Sequence, residues 1–166
     1  SIYEIVFIGG TGTDITTGKV IQTTLSTLTS KSESPTGLVH VTPLTSVVAE
    51  LSKSATAGTA ITTENIGTAK TKVSTIFEVD EEDINTNYIS NENGGVAKQA
   101  IQIQTTLDVI KTSINDTSVT NDVILSKLVE KVESASSSTD FSLSDASNLG
   151  TIIDTVATDT GVTVSD

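Results

Sequence analysis

The chain contains no cysteine and no arginine, and its only histidine is His40. Without cysteine there is no disulfide, no thiolate metal site and no cysteine nucleophile. Arginine is the preferred group for binding phosphate, and a net charge of −12 repels polyanions, so nucleic-acid and nucleotide binding are disfavoured. The scarcity of these three residue types also makes an enzyme the least favoured class of function.

Aromatic residues make up only 3% of the 166 residues, so the core must be built from valine, isoleucine, leucine and alanine. No apolar run approaches the length of about 18 residues that a membrane-spanning helix needs, and we expect no membrane insertion. No signal peptide is present, and residues 1–4 resemble the middle of a strand, so we expect a fragment or processed form of a longer protein. Serine and threonine together make up close to a third of the chain, a composition common among acidic bacterial surface proteins.

The first quarter of the chain has the pattern of a small β element. Residues 2–10 are β-branched and aromatic and end at two glycines, which predicts a strand. Residues 20–30 predict a strand or a short helix, with threonine favouring the strand, and residues 38–42 alternate as a last strand would. Turn residues fill 10–19, and a loop is predicted at 31–37. We therefore expect two or three strands.

The hydrophobic period then changes to that of helices. Thr42 is a good N-cap, and Pro43 suits the first helical position because its missing N–H would be unpaired there. Thr62 or Thr63 begins a second helix, and Ser142 with Asp145 predicts the start of a fifth. The five apolar stripes are Leu44, Val47, Val48, Leu51 and Ala55; Ile66, Ala69, Val73, Ile76 and Phe77; Ala100, Ile103, Leu107, Ile110 and Ile114; Val123, Ile124, Leu128, Val129 and Val132; and Leu143, Ala146, Leu149, Ile152, Ile153 and Val156.

The predicted fold class is α+β, mainly α. A β segment over residues 1–42 precedes a bundle of about five helices over residues 43–166, and we expect the two to pack as one compact unit.

Four stretches carry a resemblance to a module of long, repetitive, adhesin-like bacterial surface and secreted proteins. They are GGTGTDITTGKVIQTTLST, VHVTPLTSVVAEL, FEVDEEDINTNYI and AKQAIQIQTTLDVI. In that module a GGTD-x-x-TG turn closes an immunoglobulin-like or carboxypeptidase-regulatory-like β segment, and a VTPLTTL stretch opens a helix. The matching residues are Gly9, Gly10, Asp14, Thr17, Gly18, Thr42, Pro43, Leu44 and Thr45.

The resemblance covers roughly residues 5–114, and its motifs are structural. It departs from the module at Val79-Asp80, where Gly-Leu is usual, and after Tyr88, where no proline follows. It implies a stalk, filament or adhesin-type module at the bacterial cell surface, without catalytic activity. The alternative is a ligand-binding domain, for carbohydrate or peptide, of a secreted protein.

Two features that could carry chemistry have simpler structural explanations. His40 has no second histidine for a metal site and no nucleophile elbow nearby, which favours a strand-face or capping role. The stretch GGTGTDITTG lacks the lysine-threonine ending of a phosphate-binding loop, so a hairpin turn is favoured. We expect no cofactor other than calcium.

A calcium site is the one candidate site with a specific mechanism. Asp83, Asn85 and Asn87 have the D-x-N-x-N spacing that turns three oxygens toward one hard cation. Tyr88 stands where an EF-hand loop needs glycine, and Gly94 stands where the bidentate glutamate belongs. A solvated acidic loop that caps helix ends is the alternative.

Residues 2–8 predict an assembly contact. They are nearly continuous in apolar and β-branched character, and such a strand needs pairing on its edges and cover on both faces. Two or three strands are too few to supply both. The predicted partners are therefore a neighbouring domain of the same protein or another copy of the subunit, joined by strand addition.

Overall fold

The structure is a computed structural model that describes residues 1–13, 18–30, 38–56, 58–88 and 94–162. The elements within those residues are β1 (Ile2–Phe7), β2 (Leu25–Ser30), α1 (Pro43–Ser54), α2 (Thr63–Phe77), α3 (Gly94–Ile114), α4 (Asn121–Ser134) and α5 (Ala146–Thr160). The predicted fold class, α+β and mainly α, is confirmed.

The β segment is a single antiparallel pair in the described part of the chain. β1 pairs with β2 from Ile2 opposite Ser30 to Phe7 opposite Leu25. The prediction of a third strand at residues 38–42 is wrong, because this segment is irregular and leads directly into α1. The alternating pattern is short, and the backbone N–H of its last residue, Thr42, already donates to the Thr45 side chain in the cap of α1.

Helices begin at residues whose side chains cap the free N–H groups of the first turn. Thr42, Thr62 and Thr120 cap α1, α2 and α4, and Asp145 caps α5. In α1 and α2 the cap is a reciprocal capping box, which satisfies two otherwise free backbone donors. The abundance of threonine therefore has a direct structural use.

One cluster of buried apolar side chains includes Leu28 of β2 and residues from all five helices. Every residue of the predicted α2 and α3 stripes is buried, which confirms those two faces. Elsewhere the stripes are less complete: Ala55 and Ala146 are exposed, because they lie at helix ends. The half-buried members are Val123, Leu149 and Ile153.

The described helices include none that is both long enough and apolar enough to cross a membrane.

Candidate functional site

β1 is exposed on both of its faces, whereas β2 is almost entirely buried. Tyr3 is 56% exposed, Val6 48% and Ile5 39%, and Ile8 beyond the strand is 65% exposed. β2 packs on α1, and five of its six residues are buried. The strand with the most apolar sequence in the β segment is therefore the more exposed of the two.

The far edge of β2 is occupied by α1. The backbone N–H of Ser26 donates to Ser46 Oγ at 2.9 Å, and Thr45 Oγ1 donates to the Ser26 carbonyl at 2.9 Å. Both peptide groups of Ser26 thus point away from β1. Since Val6 lies opposite Ser26, the two form a non-hydrogen-bonded pair of the antiparallel ladder.

The alternation of an antiparallel ladder then fixes which backbone groups of β1 point outward. The N–H and C=O groups of Val6 point away from β2. Because the direction of these groups alternates from one residue to the next, those of Glu4 and Ile2 also point away from β2. No residue in the described ranges hydrogen-bonds these outward groups. We call the backbone of Ile2, Glu4 and Val6 the open edge.

A salt-bridge cluster holds β1 against the bundle. Lys53 Nζ lies 2.6 Å from Glu4 Oε1 and 2.9 Å from Glu50 Oε1. Partial burial acts to lower the pKa of Lys53, but its hydrogen bonds to the two carboxylates outweigh burial and raise that pKa above the ordinary value. The position of β1 therefore depends on the sheet pairing and on this exposed ionic contact.

Two glycines that follow β1 allow it to turn close to the rest of the chain. A Cβ atom at Gly9 would lie 2.2 Å from the Gln22 carbonyl oxygen, and one at Gly12 would lie 2.6 Å from the Phe7 ring. A side chain at Gly9 would push the end of β1 away from Gln22 and Thr23, and one at Gly12 would displace the Phe7 ring. Asp14 and Thr17 of the same predicted turn lie outside the described residues.

A polar cluster joins the β segment to α3 and α4. Asn121 Nδ2 donates to Thr23 Oγ1 at 3.1 Å and to Asp108 Oδ1 at 2.9 Å. Gln104 Nε2 donates to the same two atoms, each at 3.2 Å. We call these four residues the buried polar cluster. The sequence pattern does not indicate this cluster, because Gln104 and Asn121 stand beside apolar stripes like many exposed residues.

The three predicted calcium ligands lie in the turn that follows α2. Asp83 and Asn85 are half-buried and Asn87 is exposed. The Asp83 carbonyl accepts hydrogen bonds from the N–H and the hydroxyl of Thr86, and the side chain of Ile84 is fully buried. Among the described residues there is no group of three histidine, cysteine, aspartate or glutamate side chains suited to a metal. Calcium binding through one aspartate and two asparagines stays a prediction.

His40 is half-buried in the irregular segment before α1, so the predicted strand-face position is wrong. Its side chain lies two residues before the N-cap Thr42, at the junction of the β segment and the bundle.

No protein-family model, curated protein sequence or solved structure matches this chain. The open edge is the leading candidate site.

Proposed function

We propose that this chain is a structural or adhesive, non-catalytic module of a bacterial extracellular surface protein or filament. It assembles by receiving a strand on the open edge, from a neighbouring module or from another copy of the chain. The proposal rests on one observation: the outward peptide groups of Ile2, Glu4 and Val6 have no hydrogen-bond partner among the described residues, and the same strand carries exposed apolar side chains.

The exposure of β1 supports this proposal. A two-stranded sheet is marginal unless a helix or further strands cover it, and α1 packs mainly on β2. A strand added beside β1 pairs its outward backbone groups and covers part of Tyr3, Ile5 and Val6. The composition also fits an extracellular stalk, since threonine and serine are abundant and cysteine is absent.

The alternative, a carbohydrate-binding domain, lacks a stacking surface. Of the two tyrosines and three phenylalanines in the chain, only Tyr3 is exposed. Phe77 and Phe141 pack edge to face in the core with ring centroids 6.5 Å apart. A sugar platform normally needs more than one exposed ring, so strand addition is the better supported function.

A proline at Val6 tests the proposal selectively. Val6→Pro removes an outward N–H that an added strand would use, and it leaves the hydrogen bonds between β1 and β2 in place. Ile5→Pro is the matched control, because Ile5 lies in a hydrogen-bonded pair with Thr27 and its proline breaks the sheet itself. Light scattering over a range of concentrations measures association, and melting temperature measures folding.

We expect the parent chain, or two copies joined in tandem, to associate and to protect the amides of Glu4 and Val6 from hydrogen exchange. Val6→Pro, which retains only the Glu4 amide of these two, should abolish association and the protection of Glu4 with little change in melting temperature, whereas Ile5→Pro should lower the melting temperature. A parent chain that stays monomeric, with rapid exchange at Glu4 and Val6 even in the tandem form, would rule strand addition out.

A further inference from the structure

Glu4 is the only charged residue in β1, and its side chain lies on the same face of the strand as those of Ile2 and Val6. This face is turned toward the helices, since Leu28, which lies opposite Glu4, belongs to the core. About a third of the Glu4 side chain is nevertheless exposed. A strand that pairs with the open edge therefore brings one of its own side chains directly beside an accessible carboxylate.

A groove next to Glu4 carries more negative than positive charge. It has a volume of about 240 Å³ and lies between β1 and the helices α1 and α4. Its charged lining residues are Glu4, Glu50, Asp122 and Lys53. Lys53 Nζ bonds to the Oε1 atoms of Glu4 and Glu50, so a single ammonium group serves two carboxylates. With the third carboxylate, the groove keeps two unbalanced negative charges beside the open edge.

These carboxylates can be reached from solvent. The side chains of Glu4 and Glu50 are 33% and 38% accessible, and Asp122 is exposed. Asp122 accepts the Thr24 N–H through Oδ1 alone. The second oxygen of each of the three carboxylates has no hydrogen-bond partner within the described ranges. A cation on an added strand thus finds acceptors without displacing Lys53.

We propose that the open edge selects a strand with a lysine or arginine opposite Glu4 and apolar residues on either side of it. The selection rests on the proposed strand addition. A residue that exchanges backbone hydrogen bonds with Glu4 places its side chain on the same face, about 5 Å from the Glu4 side chain. A basic residue there pairs with Glu4 and extends toward the groove, and its two neighbours lie against the exposed side chains of Tyr3 and Ile5.

A second copy of β1 is a poorer match than such a strand. The antiparallel register that pairs all the outward groups places Ile2 opposite the partner's Val6 and Glu4 opposite the partner's Glu4. Like charges directly opposite one another are unfavourable, and the net charge of −12 on each copy adds to the repulsion. β2 contains no charged residue at all. Self-association is therefore the weaker mode of strand addition, and Glu4 opposes it.

The probes are the peptide Val-Thr-Val-Lys-Val-Thr-Val and the same peptide with glutamate in place of lysine. Each is titrated into the full chain while the amide resonances of β1 are followed by NMR. We expect the lysine peptide to bind about tenfold more tightly at low ionic strength. The preference should shrink at about 1 M salt, because screening is then strong. Equal affinities of the two peptides would overturn the proposed selection, as would the absence of binding by the lysine peptide.

Glu4→Gln separates the effect of charge from an effect on folding. It should reduce the preference for the lysine peptide to about threefold or less and, at the same time, strengthen self-association, because two Glu4 side chains no longer meet. Glu64→Gln makes the same change in charge at an exposed position of α2 and should alter neither. If Glu4→Gln weakens both kinds of association, Glu4 acts by holding β1 in place and the proposed selection is wrong.

Two outcomes separate this selection from strand addition itself. If the parent chain associates and both peptides bind β1 equally well, strand addition stands and only the selection by charge is lost. If the parent and tandem forms stay monomeric and neither peptide shifts the β1 amides, both are lost.

Discussion

The Nζ atom of Lys53, in the last turn of α1, lies 2.6 Å from the Oε1 atom of Glu4 in the middle of β1. This contact joins the exposed strand to the helix that covers its partner strand. Because both side chains are about a third exposed, the solvent screens their attraction.

Lys53→Met should lower the free energy of unfolding by at most about 1 kcal/mol. The folded-state pKa of Lys53 is raised, so its contribution is fully present below the ordinary value of 10.5 and is lost as pH rises through the folded-state pKa. The difference between parent and variant in urea unfolding should therefore vanish in strongly alkaline solution. Lys98→Met, at an exposed position of α3, is the control and should show no such pH dependence. A difference that persists at high pH would show that Lys53 acts through its aliphatic chain.

Leu107→Asp should unfold the chain or lower the free energy of unfolding by more than about 4 kcal/mol. Leu107 is completely buried in the core, and an unpaired carboxylate has no partner there. Val109→Asp, on the exposed face of the same helix, is the matched control and should cost little. Thermal melting followed by circular dichroism compares the two. A Leu107→Asp protein that melts within a degree or two of the parent would contradict the assigned core face.

Thr45→Val should lower the free energy of unfolding by about 1–3 kcal/mol, because it leaves the buried Thr42 N–H without its partner and removes one of the two hydrogen bonds to the Ser26 carbonyl. The Thr45 hydroxyl accepts from the Thr42 N–H at 2.8 Å and donates to the Ser26 carbonyl at 2.9 Å. Thr75→Val removes an exposed hydroxyl that only bonds back to its own helix, so it should be nearly neutral. Urea unfolding measures both variants; equal stabilities would show that the far edge of β2 does not depend on Thr45.

Acidification should weaken the start of α5. The side-chain and backbone hydrogen bonds from Ser147 lower the pKa of Asp145 below its ordinary value of 3.8. The cap therefore stabilises the fold above pH 3.8, and this contribution is lost as pH falls through the folded-state pKa. Asp145→Asn keeps a capping oxygen without the charge, so its stability advantage over Asp145→Ala should not change with acidification. The parent's advantage over Asp145→Ala should shrink, and a constant difference would exclude the carboxylate as the cause.

The calcium hypothesis predicts a rise in melting temperature when calcium at about millimolar concentration is added to the chelated protein. Asp83→Ala should abolish the rise, and Asp154→Ala, which removes an exposed carboxylate of α5, should preserve it. Calorimetry provides the second measurement. If calcium produces no heat of binding and no change in the melting temperature of the parent chain, the calcium hypothesis is wrong.

The helical part of the fold was predictable because it depends on local chemistry. Strict spacing of apolar residues defined the buried faces of α2 and α3, and threonine or aspartate caps marked where helices begin. The core also contains Ile84 and Phe141, which lie in connections between helices, where no periodic pattern identifies them. Residues 38–42 alternate in sequence like a strand, but Thr42 caps α1, so the segment leads into the helix and forms no strand.

The candidate sites were predictable only in part. The apolar sequence of residues 2–8 indicated a strand in need of cover, and in the structure Tyr3 and Val6 are indeed exposed. Which backbone groups point outward depends on the register of β1 against β2 and on the contact of Ser46 with Ser26, and neither can be read from one strand alone.

The buried polar cluster has a consequence for the order of folding events. Asn121 reaches Thr23 and the carboxylate of Asp122 reaches the N–H of Thr24, each across 98 residues of sequence. Closing so long a loop has a large entropic cost, whereas α1 with α2, α3 with α4 and α4 with α5 meet through much shorter connections. We therefore expect the helices to associate before the transition state and the β segment to dock on them afterwards. Asn121→Ala should then speed unfolding and leave the refolding rate nearly unchanged.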